Sequence, residues 1–365
     1  MENNGNKKGR AYWKRILTLV VSIFALIGLL CMFLCAINPL ISPDFFILTS
    51  FFGLTFWPIL FTNLLILIAL IVLKARWKLL VPIVAIVIAI PGFMRSFSIR
   101  QKSEEKGNIK IMSYNIAQFR DITDNQRDRN SVEKDVVEII NAQNPDIVCL
   151  QESGRWDDKL ASDFAQKIGC KYYSFEKGNG NVIFSKYPID NDEFTERSDE
   201  INNLGLIRLV DAGKYGKFYL ECVHLQSFMI TKDEIEYIND AKSYVEKSET
   251  VGKSLIYKLK DGFRKRTADT KIIMENLPEN FPIIICGDFN DTPQSYTYHQ
   301  MRKAGLVDAF LKVDNGVGKT YCGSLPLLRI DYFWCSKDIL PKTFDRVTRK
   351  MSDHYPIIMT FDVTR

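Results

Sequence analysis

Charge is missing from two long stretches near the N-terminus. No Asp, Glu, Lys or Arg occurs between Arg15 and Asp44, and none occurs between Asp44 and Lys74. A helix needs roughly 17–25 apolar residues to cross a bilayer core. The runs Ile16–Ala36 and Phe45–Leu73 are therefore both long enough to span a membrane. A cleaved signal peptide fits poorly, because the first run exceeds a typical signal core and a second run follows it.

A third apolar run, Leu79–Met94, is shorter and contains two prolines. Lys78 and Arg95 bracket it, and their long side chains can reach outward to the membrane interface. The alternative is a buried or interfacial helix. The pattern predicts three membrane spans, at about 16–36, 45–73 and 77–94, in an N-terminal region of residues 1–95. A polar linker at 96–108 and a separate domain at 109–365 follow.

Basic residues are unevenly distributed around these runs. The loop between the first two runs has none, and the flanking segments hold Lys7, Lys8, Arg10, Lys14, Arg15, Lys74, Arg76 and Lys78. The positive-inside rule then predicts an integral protein of the cytoplasmic membrane with a cytoplasmic N-terminus, so that an odd number of spans leaves the domain after Met94 outside the cytoplasm. Four basic residues after the third run count against this orientation, namely Arg95, Arg100, Lys102 and Lys106.

Cysteine pairs at metal-ligand spacing are also lacking. Of the eight cysteines, two lie in the first apolar run and four lie inside apolar strand-like runs. This usage predicts small buried hydrophobic residues rather than a disulfide framework or a zinc site.

From Ile109 onward the pattern is that of an α/β domain. A helix with an Asn130-Ser-Val-Glu133 capping box is predicted to end before Pro145, and a second helix covers Asp158–Ile168. Short strands are predicted at Ile147–Leu150, Val182–Ser185, Phe218–Leu225, Ile283–Cys286, Ile330–Cys335 and Tyr355–Phe361. Residues 231–277 have a helical, Lys-rich pattern.

Polar side chains recur at or beside the ends of these strands. The set is Asn115, Glu152, His224, Asp288, Asn290, Asp331, Asp353 and His354, and it includes two of the chain's three histidines. Each residue alone has an ordinary explanation as a turn or capping residue. Together, hard oxygen ligands of this kind favour Mg²⁺ or Mn²⁺ with a phosphate substrate.

The motifs "SYNI", "DIVCLQE", "VHLQS", "GDFND", "RIDYF" and "SDHYP", in this order, closely resemble the endonuclease/exonuclease/phosphatase superfamily. The resemblance covers about residues 109–365. It implies a four-layer α/β/β/α sandwich of two mostly antiparallel sheets, and an active site at the strand ends.

The resemblance also implies a role for each of these residues. Glu152 is the main ligand of Mg²⁺ or Mn²⁺, Asn115 contacts metal-bound water or phosphate, and Asp353 is a second metal or water ligand. Asp288 deprotonates the attacking water, and Asn290 holds the phosphate and that carboxylate. His354, oriented by Asp331, stabilises the charge on the phosphate. His224 contacts the phosphate and assists the leaving group, but its carboxylate partner cannot be placed from the sequence.

The expected function is a membrane-anchored, metal-dependent phosphodiester hydrolase of nuclease type. Two alternatives stay open: a phospholipid or inositol-phosphate hydrolase, and an inactive binding protein on the same fold. Specificity is expected in the loops of residues 226–281 and 311–328. The basic segment Lys253–Lys271 is either a solvated helix face or a contact for a polyanion or membrane surface.

Overall fold

The computed structural model describes residues 2–364, except 122–123, 125, 179, 191–203, 232–233, 235–248, 279 and 324–326. The chain forms two compact units. The helical unit consists of Met1–Ser96 with Pro293–His299, and the sheet unit consists of Phe97–Thr292 with Gln300–Arg365.

The N-terminal helices of the helical unit are α1 (Glu2–Ile37), α2 (Leu48–Leu54), α3 (Phe56–Val72) and α4 (Leu80–Ser96). Within the described residues, Gly9–Leu40 and Arg76–Ser96 are long and apolar enough to cross a membrane. Helices α2 and α3 meet at a bend of 72°, and they make a third candidate if the bent pair is one span. The structure thus has two or three candidate spans, and the number three stays a prediction.

Apolar packing and an amide hydrogen bond join these helices. Met32 of α1, Leu60 of α3 and Ala85 of α4 share one buried apolar cluster. The Asn63 side chain donates from Nδ2 to the Gly28 carbonyl at 3.2 Å. Such a bond satisfies a polar group that water does not reach inside a bilayer.

The sheet unit contains two sheets of six strands each. The first has the order β11-β12-β1-β2-β4-β3 and the second β5-β6-β7-β8-β10-β9. The strands are β1 (Ile109–Asn115), β2 (Ile147–Gln151), β3 (Tyr172–Phe175), β4 (Val182–Ser185), β5 (Ile189–Asp190), β6 (Gly205–Asp211), β7 (Lys217–His224), β8 (Ile283–Asp288), β9 (Val307–Asp308), β10 (Asp331–Cys335), β11 (Ile339–Arg346) and β12 (Ile357–Val363). The helices are α5 (Arg129–Gln143), α6 (Asp158–Lys167), α7 (Glu249–Glu275), α8 (Tyr296–Lys303, whose first turn belongs to the helical unit) and α9 (Ala309–Val313).

The alternation of strand residues sorts the side chains into layers. Ile111 of β1 and Ile147 of β2 face the core between the sheets, where they meet Leu220 and Ile284 of the second sheet. Met112 and its neighbours on the other face of the first sheet join a second core with α5 and α6. The predicted α/β fold with two mostly antiparallel sheets is confirmed. Among the described pairs, only β1–β2 and β7–β8 are parallel.

One local prediction needs correction. The N-cap of α5 is Asp128 rather than Asn130, because the Asp128 side chain accepts from the backbone N–H groups of Asn130 and Ser131. Within the segment predicted as a linker, Ser98 pairs with Gly316, and the Ser103 N–H donates to the Val313 carbonyl at 2.9 Å. The predicted division at residues 95 and 108 stays a prediction.

All eight cysteines are free thiols, and all but Cys31 are buried. Cys149, Cys222 and Cys286 lie together in the core between the sheets. Of the segment 231–277 predicted as helical, residues 232–233 and 235–248 lie outside the described residues.

Candidate active site

Strand register brings the polar strand ends together. In the parallel pair β1–β2, Asn115 lies opposite Gln151, so that Glu152 follows directly at the same edge. In the parallel pair β7–β8, His224 lies opposite Asp288, and antiparallel β10 places Asp331 opposite Asp288 as well. Because parallel strands end at one edge, each pair delivers two polar side chains to one place.

The sharp end of β8 depends on a glycine. Gly287 has a φ of +138°, and a Cβ atom there would lie 1.9 Å from the Val223 carbonyl oxygen of β7. No side chain fits that gap, and L-residues rarely adopt this φ. Gly287 therefore allows β8 to approach β7 closely just before Asp288.

The Asp288 carboxylate is the centre of the site and is 1% exposed. Its Oδ2 accepts from Asn115 Nδ2 at 3.0 Å and from Asn290 Nδ2 at 3.1 Å, and its Oδ1 accepts from the Asn290 N–H at 2.7 Å. Burial raises the pKa of the Asp288 carboxyl above its ordinary value, while the neighbouring His354 opposes the shift. Burial therefore makes the Asp288 carboxylate more basic than a free one, and the two amides fix its orientation.

Glu152 lies on a strained turn beside this centre. Its φ is +48°, which is uncommon for a residue other than glycine. Its side chain is 33% exposed, and Oε1 accepts from Asn115 Nδ2 at 2.9 Å. Asn115 thus donates to both carboxylates and fixes their spacing, while its own Oδ1 accepts from the Ala117 N–H at 3.1 Å.

His354 and Asp331 form a buried pair. The Nδ1 atom of His354 lies 2.9 Å from Asp331 Oδ2, and Nε2 lies 3.5 Å from Asp288 Oδ2. Burial alone lowers the pKa of His354, but the carboxylates of Asp331 and Asp288 outweigh it and raise that pKa well above its ordinary value. Asp331 thus fixes the ring and favours an imidazolium whose other N–H faces Asp288.

The structure brings His224 to the same carboxylates. Its Nε2 lies 3.4 Å from Glu152 Oε1 and 3.8 Å from Asp288 Oδ2. That nitrogen is buried and has no hydrogen bond to any described residue. The ring therefore points into the space between the two carboxylates with a nitrogen left to bind something else.

The carboxylates and histidines around Asp288 include groups that could hold a divalent metal ion. Two groups in the described residues have ligand atoms within 4.8 Å of one another: Glu152, His224 and Asp288, and Asp288, Asp331 and His354. Asp353 belongs to neither group, and its Oδ1 lies 3.3 Å from Ser352 Oγ. Carboxylate oxygens and the unbonded His224 nitrogen fit a divalent cation that also binds phosphate. The assignment of Glu152, Asn115 and Asp353 as the ligands stays a prediction.

Sequence reasoning missed residues that act on this site through hydrogen bonds. Ser352 Oγ donates to the Asn115 carbonyl at 2.7 Å, and Thr320 Oγ1 accepts from the Asp331 N–H at 3.1 Å. Ser352 lies inside the quoted motif "SDHYP", which was a usable signal, whereas nothing near Thr320 marks it. Arg266, counted above in the basic segment, is fully buried, unlike its exposed neighbours Arg264 and Lys265.

Two protein families match the chain. The Endonuclease/Exonuclease/phosphatase family matches residues 112–354, and a domain of unknown function (DUF8431) matches residues 14–97. The first match covers the whole arrangement of strand ends described above, and the second covers the candidate membrane helices.

Individual proteins show the same likeness. YbhP of Escherichia coli K12, itself uncharacterized, is 25% identical over 255 residues, which cover 61% of this chain and 85% of YbhP. Recombination repair protein 1 of Drosophila melanogaster is 24% identical over 300 residues, 72% of this chain and 38% of that protein. The DNA-(apurinic or apyrimidinic site) endonuclease of Dictyostelium discoideum is 23% identical over 297 residues, 71% of this chain and 72% of that protein.

Among solved structures, the 3'-5' exonuclease NExo of Neisseria meningitidis has a TM-score of 0.48 at 18% identity, covering 70% of this chain and 100% of that chain. The human Nocturnin catalytic domain also has a TM-score of 0.48 at 18% identity, covering 70% of this chain and 94% of that chain. The family match at residues 112–354 covers more than half of the chain and includes every strand-end residue from Asn115 to His354. The chain therefore belongs to the endonuclease/exonuclease/phosphatase family.

Proposed function

We propose that the chain is a membrane-anchored, divalent-metal-dependent phosphodiester hydrolase of nuclease type, which acts by in-line attack of water on phosphate. The observation that carries this proposal is the buried Asp288 carboxylate, which Asn115 and Asn290 orient and which two histidines flank. A carboxylate held this way can accept a proton from water at neutral pH.

The residues divide the work by position. Asp288 takes the proton of the attacking water, and Asn290 fixes that carboxylate through two hydrogen bonds. His354, kept protonated by Asp331, donates to a phosphate oxygen as negative charge develops there. His224, with a nitrogen that bonds to no described residue, is placed to donate to another phosphate oxygen or to the leaving oxygen.

Mg²⁺ or Mn²⁺ would be held by Glu152, with Asn115 and Asp353 as further or water-mediated contacts. When bound, such an ion withdraws charge from phosphate oxygens and neutralises the developing anion. The exposure of Glu152 supports this role, because an ion that keeps several waters needs access from solvent.

Nucleic acid is proposed as the substrate class. One relative is named as a recombination repair protein and another as an endonuclease of apurinic or apyrimidinic sites in DNA, and two histidines suit the two sides of a phosphodiester. The apolar helices of the helical unit favour the alternative, a phospholipid or inositol-phosphate hydrolase. An inactive binding protein is the remaining alternative.

The test is a substrate screen. Full-length protein in detergent is incubated with DNA, RNA, phospholipid and inositol phosphates, with and without Mg²⁺, beside a His354→Ala control. Cleavage of DNA or RNA that needs Mg²⁺ and His354 is expected. Cleavage of lipid or inositol phosphate alone would support the second substrate class. Binding without cleavage of any of the four would support the inactive protein.

The proposed location is the cytoplasmic membrane, with residues 109–365 outside the cytoplasm. Reporter fusions placed after Arg100 test it. Activity of a reporter that works only outside the cytoplasm is expected, since three spans follow a cytoplasmic N-terminus. Activity only of a cytoplasmic reporter would contradict the orientation and would imply an even number of spans.

A further inference from the structure

Arg266 is a buried cation that the proposed chemistry does not use. It lies on α7, and its side chain is 0% exposed. Burying an arginine is strongly unfavourable unless hydrogen bonds and a counter-charge compensate for its lost hydration. Arg264, two positions earlier on the same helix, is exposed to solvent. Burial is therefore not a general property of the basic residues of α7, and the burial of Arg266 needs its own explanation.

The guanidinium bonds to two loops that carry site residues. Its Nε lies 3.2 Å from Asp291 Oδ2, and Asp291 directly follows Asn290. Its Nη1 donates to the Gln226 carbonyl at 2.9 Å, and Gln226 is two residues after His224. One side chain therefore joins the loop after β8 to the loop after β7.

Aromatic rings and a glycine hold the guanidinium in place. It lies 4.2 Å from the centroid of the Phe228 ring and 5.2 Å from that of Phe263. A Cβ atom at Gly262 would lie 2.7 Å from the Phe228 ring and 3.2 Å from Arg266 Nη1. The planar fork is thus confined on its faces and hydrogen-bonded through Nε and Nη1, a geometry that lysine cannot reproduce, while Nη2 is buried and bonds to no described residue.

The same two loops make a second connection beside the active site. Asn290 Nδ2 donates to the Leu225 carbonyl at 3.0 Å, and the Leu225 N–H donates to the Asp288 carbonyl at 2.9 Å. Arg266 bonds to Gln226 and Asp291, the residues next to Leu225 and Asn290. Arg266 therefore reinforces the Leu225–Asn290 connection through the adjacent residue of each loop.

We propose that Arg266 is a positioning residue, which locks the His224 loop to the Asn290 loop so that His224 and Asp288 meet the phosphate in register. This inference rests on the proposed hydrolase function. A loosened pair of loops should slow turnover more than it weakens binding, because a misplacement of about 1 Å costs up to ~10²-fold in rate.

The experiment compares Arg266→Gln, Arg266→Lys and Asp291→Asn with the control Arg302→Gln, a change at an exposed arginine of α8, all in the complete chain given by the sequence. Turnover and KM for bis(p-nitrophenyl) phosphate with Mg²⁺ are measured together with the thermal unfolding midpoint. Arg266→Gln and Asp291→Asn should each lower kcat by about 10- to 10²-fold with little change in KM. Arg266→Lys should lie between wild type and Arg266→Gln, and Arg302→Gln should match wild type.

The double variant Arg266→Gln/Asp291→Asn should be no slower than the slower single variant, because both changes remove one connection. Wild-type kcat in a folded Asp291→Asn protein would overturn the inference even where Arg266→Gln fails to fold. A raised KM with unchanged kcat would also overturn it and would make Arg266 a binding residue. An inactive wild type would instead remove the proposed function, and the inference with it.

Discussion

Glu152 and Asp288 stand at equivalent places in the two sheets, yet their surroundings differ. Glu152 directly follows β2 of the parallel pair β1–β2, and Asp288 is the last residue of β8 in the parallel pair β7–β8. Glu152 is 33% exposed and accepts one side-chain hydrogen bond, whereas Asp288 is 1% exposed and accepts from two amides. Asn115 donates to both and sets the distance between them.

The difference indicates a division of labour. A carboxylate that water reaches can exchange hydration for an ion, whereas a buried one with a raised pKa is suited to accept a proton. Under the proposed function, the two sheets would supply two different carboxylates, one for metal binding and one for proton transfer, because each sheet brings its own parallel pair to the common edge.

The largest effect is expected from Asp288→Asn, because the change removes the proton acceptor and keeps the shape. Turnover should fall at least ~10²-fold at saturating Mg²⁺, the usual scale for one acid–base group. Steady-state kinetics with thermal unfolding as a folding control measures it. A variant that keeps wild-type turnover would show that Asp288 is not the base.

Glu152→Gln should change the metal requirement rather than the maximal rate. The Mg²⁺ concentration for half-maximal activity should rise about 10-fold or more. Even the loss of a residue that only hydrogen-bonds to a metal ligand commonly lowers metal affinity about 10–100-fold. Activity titrated against Mg²⁺ provides the readout. If excess Mg²⁺ restores nothing while Asp288→Asn is rescued by metal, the two assignments are reversed.

Asp331→Asn should alter the pH profile. In wild type, the raised pKa keeps His354 protonated at pH values above the ordinary pKa of a histidine. Loss of the Asp331 carboxylate should lower that pKa. Because the protonated ring is the active form, the ratio of variant to wild-type kcat should fall as pH rises between about pH 5 and 8. A ratio that stays constant across this range would mean that Asp331 affects only the structure of the site and not the protonation of His354.

The smallest effect is expected from the exposed basic face of α7. Replacing Lys260, Arg264 and Lys265 by Gln should flatten the salt dependence of nucleic-acid binding by up to roughly 0.7–0.9 log units per lost phosphate contact. The pairing of Lys265 with Asp261 at 2.9 Å reduces its share. Turnover of a small phosphodiester, which depends on the two carboxylates, should not change. An unchanged salt slope would leave this face as a solvated surface.

The sequence was sufficient to predict the fold class and the strands that carry the candidate site residues, because both depend on local patterns, whereas five strands of weaker pattern were not predicted, namely β3, β5, β6, β9 and β11. Apolar strands that end in Asn115, Glu152, His224 and Asp288 are visible in the printed chain, and the motif order points to one family. The strand bounds were misplaced by a residue or two, as at β10, where Asp331 rather than Ile330 begins the strand.

Contacts between distant segments could not be predicted. The partners of His224 lie 72 and 64 positions away in the chain, at Glu152 and Asp288, and only the strand register brings them together. Arg266 was misjudged for the same reason. In a helix rich in Lys and Arg, nothing local distinguishes the one residue that points inward to Asp291 from those that face water.

The buried thiols have a consequence for chemical durability. Oxidation and disulfide exchange need a thiolate that a reagent can reach. Burial raises the pKa of the Cys149 and Cys335 thiols well above its ordinary value, and neither side chain is accessible. Both routes are therefore closed until the sheets separate, so the rate of thiol modification is set by how often the fold opens. A domain built this way can tolerate an oxidising environment although its cysteines form no disulfide bond. The extent of thiol modification then measures how often the two sheets separate.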